Sequence, residues 1–247
     1  MTLMEHLEDL RRVLVICAVT LAITTGIVYG FFRRELYDWV TSPLQQYHVP
    51  LVFIGLGEAF MTQIKLAFFA GFILALPVIL WQVWGFIVPA LQPEERRKVR
   101  LIVPLSVVLF LAGAAFAYFA VFRFAARFLI LVAGPDLQPM ISIGQYVSFL
   151  ISFLLPFGLA FELPLIIYFL AHWGVVSGDW LAKNRKFAIL IIFVAAAALT
   201  PGPDVISQLL MAGPLLLLYE VSIWAARAAG KGREAAQAGP GKAEVRS

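Results

Sequence analysis

Apolar residues in this chain gather in long charge-free blocks separated by short polar stretches. The first, Val13 to Phe32, runs twenty residues without a charge. A helix rises about 1.5 Å per residue, so about 20 apolar residues cross the roughly 30 Å hydrocarbon core of a bilayer. The block predicts a first span over 13–32, uncleaved because its leader carries the acids Glu5, Glu8 and Asp9. Residues 66–93 hold no charge and predict a second span over 60–83, and Leu101 to Phe122 predicts a third over 101–122. Residues 137–178 contain one charged side chain, Glu162, and predict an amphipathic approach followed by a fourth span over 146–173.

The remaining two blocks are shorter. Phe187 to Leu199 gives thirteen apolar residues before the breaker Thr200-Pro201-Gly202-Pro203-Asp204, and Val205 to Tyr219 gives fifteen before Glu220. They predict a hairpin of short fifth and sixth spans, 187–200 and 205–226, reaching only about 20 Å. A locally thinned bilayer is the expected response. Pro77, Pro104, Pro156, Pro164 and Pro214 lie inside apolar runs, where each removes a backbone donor and kinks its helix. The fold expected is an all-α polytopic membrane protein: six kinked transmembrane helices over residues 1–226 forming a concave body, then a disordered tail over 227–247. Glu35 to Val40 carries the pattern of an interfacial amphipathic helix capped by Ser42-Pro43. Gly26 and Gly30 form a GxxxG pair, a spacing that also arises by chance.

Composition agrees with a bilayer as solvent. Of 247 residues, 62% are hydrophobic and 14% charged, against about 25% charged in a typical soluble chain; the mean hydropathy is +0.89. With an even number of spans, fourteen Lys and Arg fall on the side of the termini and five on the other, which places both termini in the cytoplasm. The formal charge of +4 comes from basic residues flanking the spans rather than from one stripe, so nucleic acid is not an expected partner. A single cysteine, Cys17, excludes an internal disulfide, and three scattered histidines form no metal-ligand cluster. No cofactor is expected.

Two sets of residues carry candidate chemistry. Glu162, in Phe161-Glu162-Leu163-Pro164, lies deep in an apolar block, where a charged carboxylate costs about 2.5–3.5 kcal/mol. It reads either as a polar contact for a substrate or partner helix or as a satisfied structural hydrogen bond. Asp9 and the pair Glu94-Glu95 lie on the expected cytoplasmic face. Carboxylates there suit bidentate binding of guanidinium groups, or pair internally with Arg97, Lys98 or Arg100. An intramembrane enzyme is disfavoured: there is no GxSxG, no second buried aspartate and no zinc motif. A receptor or translocase scaffold and a proton-coupled secondary transporter both stay open, because one buried acid can carry a proton.

Five motifs, taken in order, resemble one family. His6-Leu7-Glu8-Asp9-Leu10-Arg11 is similar to the amino-terminal signature of TatC, the multi-spanning subunit of the twin-arginine protein translocase. So is Pro77 to Leu91 (PVILWQVWGFIVPAL) leading to Glu95-Arg96-Arg97, as are Ala117-Tyr118-Phe119, Phe161-Glu162-Leu163-Pro164 and Leu199-Thr200-Pro201 with Asp204 to Gln208. The resemblance implies a six-span receptor for the Arg-Arg signal peptides of folded precursors, in a bacterial or archaeal cytoplasmic membrane. It implies export driven by the proton gradient, single-span partner subunits of the TatA and TatB type, and homo-oligomers within a larger complex. On this resemblance Glu95 contacts the signal's arginine pair with Asp9 as its acidic partner, and Phe86 and Leu91 line that site. Glu162, Thr200 and Gln208 match positions where partner helices dock.

Overall fold

The computed structural model describes residues 3–45, 50–87, 96–132, 140–200 and 205–237. The chain is helical almost throughout and divides into two compact units, residues 1–111 with 126–151 and residues 112–125 with 152–247.

The first unit opens with α1 (Leu3–Ile27), which passes through a π-helical turn (Val28–Phe32) directly into α2 (Arg33–Gln45). The extra residue of a π turn rotates the succeeding helix by about 100°, and Val28, Val40 and Leu44 are buried. The amphipathic segment expected over 35–40 is helical and continuous with α1, and Ser42-Pro43 does not cap it. Pro43 lacks the N–H that would reach the Trp39 carbonyl, but the Ser42 hydroxyl donates to that carbonyl at 2.8 Å, and the helix continues to Gln45. α3 (Glu58–Ile87) runs through Pro77 and packs against α1. A Cβ on Gly71 would fall 2.7 Å from the Thr25 backbone, so only glycine allows this approach. The GxxxG glycines are not used this way: neither Gly26 nor Gly30 meets anything within 4 Å.

α4 (Arg96–Phe116) passes through a second π segment (Ala117–Phe122) into α5 (Arg123–Val132), enclosing the expected third span. Before α6 (Ile143–His172), Ile141–Ser142 forms a strand, β2, that pairs in parallel with β1 (Leu51–Val52), Leu51 opposite Ile141 and Val52 opposite Ser142. Extended backbone thus leads into α6 where the hydropathy pattern predicts an amphipathic approach. The pairing joins segments about ninety residues apart, beyond the reach of local pattern.

In the second unit, α7 (Gly178–Lys183) begins at Ser177, whose hydroxyl accepts from the Trp180 N–H at 3.1 Å. α8 (Arg185–Leu199) and α9 (Val205–Gln237) form the hairpin. Ala171 of α6, Leu181 of α7 and Ile223, Ala226 and Ala229 of α9 make one core cluster. α9 runs on past the span expected over 205–226: residues 227–237, expected in a disordered tail, are helical, and 238–247 lie outside the described residues. Glu220 ends an apolar run but not the helix, because its carboxylate is taken by Arg185, and the Ala-rich stretch beyond it favours helix.

Among the described residues, five helices are long and apolar enough to cross a membrane: Leu7–Ser42, Glu58–Phe86, Ile102–Phe128, Ile143–His172 and Val205–Gly230. α8, with 15 residues, extends about 22 Å and falls short of a full crossing on its own. The five interior prolines all sit within these long helices.

Candidate functional site

In the first unit, the Thr25–Gly71 contact calibrates the two ends of the α1–α3 pair. Asp9 lies sixteen residues before Thr25 and Phe86 fifteen after Gly71, about 24 and 22 Å along their helices. Since the chain reverses between α1 and α3, both residues arrive at the same end. Asp9 is exposed and Phe86 half-buried. Two residues before Phe86, the Trp84 indole N–H donates to the Ser106 hydroxyl of α4 at 3.1 Å, both groups buried. This bond fixes the last turn of α3 against α4. Leu91 and Glu95, assigned to this end by resemblance, lie outside the described residues.

Sequence reasoning missed the opposite end of this unit. There Glu58, the first residue of α3, accepts from the backbone N–H groups of Ile54 (2.7 Å), Gly55 (3.2 Å) and Gly144 (2.8 Å), and from the Ser142 hydroxyl. One carboxylate thereby joins the turn before α3 to the start of α6, beside the β1–β2 pair. Tyr146 reinforces the junction by donating to the Val40 carbonyl at 2.8 Å. The local signal was the Gly55-Leu56-Gly57-Glu58 turn, which announces a helix start but not its distant donors.

Glu162 lies in the second unit, in α6, and is buried at 5% exposure. Pro164 leaves the Ala160 carbonyl without its usual helical donor one turn away, and Pro156 does the same for Ser152. Around the preceding turn α4 comes very close. A Cβ on Gly113 would fall 2.5 Å from the Phe157 carbonyl, and the Phe116 ring meets Phe157 edge-on and Phe161 at a tilt, each with centroids 5.8 Å apart.

Thr200 and Gln208 are brought to the α8–α9 hairpin. Thr200, buried at the end of α8, donates to the Ala196 carbonyl at 2.9 Å, and Gln208 donates across the hairpin to the Phe193 carbonyl at 3.1 Å. Both polar groups spend a donor inside their own chain, Thr200 on the last turn of α8 and Gln208 across the hairpin. At its other end Arg185 grips Glu220 through two bonds of 2.6 and 2.8 Å. No group of His, Cys, Asp and Glu suited to a metal occurs among the described residues.

The family model for Sec-independent protein translocase protein (TatC) matches residues 5–214. A Sec-independent protein translocase protein TatC of Carboxydothermus hydrogenoformans is 51% identical over 227 residues, covering 92% of this chain and 93% of the relative. That of Aquifex aeolicus is 40% identical over 228 residues, covering 91% and 94%. A crystal structure of a twin-arginine translocase receptor, TatC, superposes with a TM-score of 0.84 at 38% identity, covering 91% of this chain and 99% of that one. These likenesses favour a protein translocase component over a secondary transporter or an enzyme, and the apolar helices make it a multi-pass membrane protein. The chain belongs to the TatC family of Sec-independent protein translocase proteins.

Proposed function

We propose that this chain is the receptor and core subunit of a twin-arginine translocase, capturing the Arg-Arg signal peptides of folded precursors at its cytoplasmic face. The observation that carries the reading is the likeness, over nearly the whole chain, to a solved twin-arginine translocase receptor. In this reading the protein spans the cytoplasmic membrane six times, α8 being the fifth crossing, with both termini in the cytoplasm. Asp9 and Glu95 bind the two guanidiniums, and Phe86 and Leu91 pack against the signal's apolar segment. Glu162, Thr200 and Gln208 receive the helices of single-span subunits, and the proton gradient drives export.

Asp9 and Phe86 reaching one end of the α1–α3 pair supports the placement of the signal site. Charge-assisted bonds contribute about 1.5–3 kcal/mol each, and arginine adds a planar fork that lysine lacks. Crosslinking a photoreactive signal peptide to the full chain in membranes tests this. Arg-Arg signals are expected to crosslink about tenfold more efficiently than Lys-Lys signals, and Glu95→Ala to abolish the difference. Unchanged capture of both signals by Glu95→Ala would refute the assignment.

A further inference from the structure

Charges at the α7–α8–α9 end of the second unit sort unevenly. Glu220 is occupied by Arg185, and Asp179 by Arg227 at 3.3 Å. Lys183 and Lys186 are both exposed and form no ion pair among the described residues. They stand three residues apart on backbone that stays close to helical through Asn184 (φ −94°, ψ 14°), whose N–H bonds the Trp180 and Leu181 carbonyls at 3.1 Å. They also sit where water gives way to hydrocarbon, since Phe187 opens the apolar run of α8 and its ring lies 5.2 Å from the Lys186 Nζ.

Two tryptophans mark the same level. A Cβ on Gly178 would fall 2.4 Å from Arg227 Cγ and 3.2 Å from the Ile223 carbonyl, so α7 crosses α9 at Ile223 and Arg227. Trp180 on α7 and Trp224 on α9 are 57% and 71% exposed, unusual for indoles unless they meet a headgroup layer. Beyond Phe187, Leu190, Ile191 and Val194 of α8 are exposed and offer a surface for acyl chains.

We infer that Lys183 and Lys186, with Trp180 three residues before Lys183 and Trp224 on the neighbouring α9, form a binding site for an anionic phospholipid of the phosphatidylglycerol type. The two ammonium groups donate to the headgroup phosphate, with their stems lying along apolar surface. A zwitterionic lipid carries its own ammonium and gains less from them. Each of the two local acids already faces an arginine, Glu220 through two bonds and Asp179 through one exposed contact. The inference rests on the proposed crossing of the membrane by α8 but on none of the residues assigned to the signal peptide.

The test equilibrates the full chain with vesicles of equal phosphatidylglycerol and phosphatidylcholine, extracts it in mild detergent and counts retained lipids by native mass spectrometry. Each lysine near an anionic layer contributes roughly fivefold in partitioning, so Lys183→Gln with Lys186→Gln is expected to lower the phosphatidylglycerol preference by about twenty-five-fold. Lys183→Arg with Lys186→Arg keeps the charge and is expected to keep the preference, which separates lipid binding from a folding defect. Arg33→Gln with Arg34→Gln removes equal charge elsewhere and is expected to leave the preference unchanged. The site is refuted by an unchanged ratio in the glutamine pair, by loss in the arginine pair, or by an equal drop in the Arg33/Arg34 control. Displacement of the lipid by excess inorganic phosphate would assign the lysines to a soluble anion instead, and also overturns it.

Discussion

Ser106 has no exposed surface, and its hydroxyl accepts from the buried Trp84 indole. A buried donor deprived of its acceptor costs about 1–3 kcal/mol. Ser106→Ala is therefore expected to destabilise the protein by that amount in a denaturant titration in detergent, while Ser106→Thr keeps a hydroxyl and loses less. Combining Trp84→Phe with Ser106→Ala is expected to cost less than the two single changes together, because the bond is removed from both sides at once. An additive result would show that the two groups do not act as a pair. Trp84 was visible in the sequence as one aromatic in an apolar run; its acceptor, twenty-two residues away on another helix, was not. Glu58 makes the same point. Its position at a helix start is a local matter, whereas two of its donors come from residues 142 and 144.

At the level of elements, the charge-free runs announced the long helices because a bilayer core penalises charge wherever it falls. The same rule does not say where a helix ends: Glu220 closes the apolar run of α9, yet the helix continues through it and its carboxylate is held by Arg185. Breaking that pair from one side leaves a half-exposed charge facing the other hairpin arm. Arg185→Gln and Glu220→Gln are each expected to lower the thermal midpoint measured in detergent. Exchanging the two residues, Arg185→Glu with Glu220→Arg, is expected to recover most of the loss. If neither single change moves the midpoint, the pair contributes no more than an ordinary surface ion pair. The π turn before α2 escaped notice for a related reason. An insertion of one residue changes which face is buried but leaves the hydropathy of the run intact.

The whole molecule adds orientation, the one property that charge counts address directly. Gly57 and Gly230 are positions where an added side chain meets nothing within 4 Å, and Cys17 is the single native thiol. On a Cys17→Ser background, a membrane-impermeant maleimide added to intact cells is expected to label Gly57→Cys from outside. Gly230→Cys is expected to react only after permeabilisation. The reverse pattern would invert the topology and remove Asp9 from the cytoplasmic face. Of the proposed site, Asp9 and Phe86 could be placed on one end of the α1–α3 pair, and Thr200 and Gln208 in the hairpin; Leu91 and Glu95 lie outside the described residues.

Membrane residence, the long spans, the interior prolines and the family motifs were all readable along the chain, because each depends on residues close together in sequence and on the single cost of moving charge or unpaired backbone into hydrocarbon. Other features needed three dimensions: the Thr25–Gly71 approach, the Glu58 junction, the Trp84–Ser106 bond, and the pairing that spent Asp179 and Glu220 on arginines while leaving Lys183 and Lys186 open. A hydrogen bond or ion pair is decided by which helix faces meet, and that choice is made only when the spans pack.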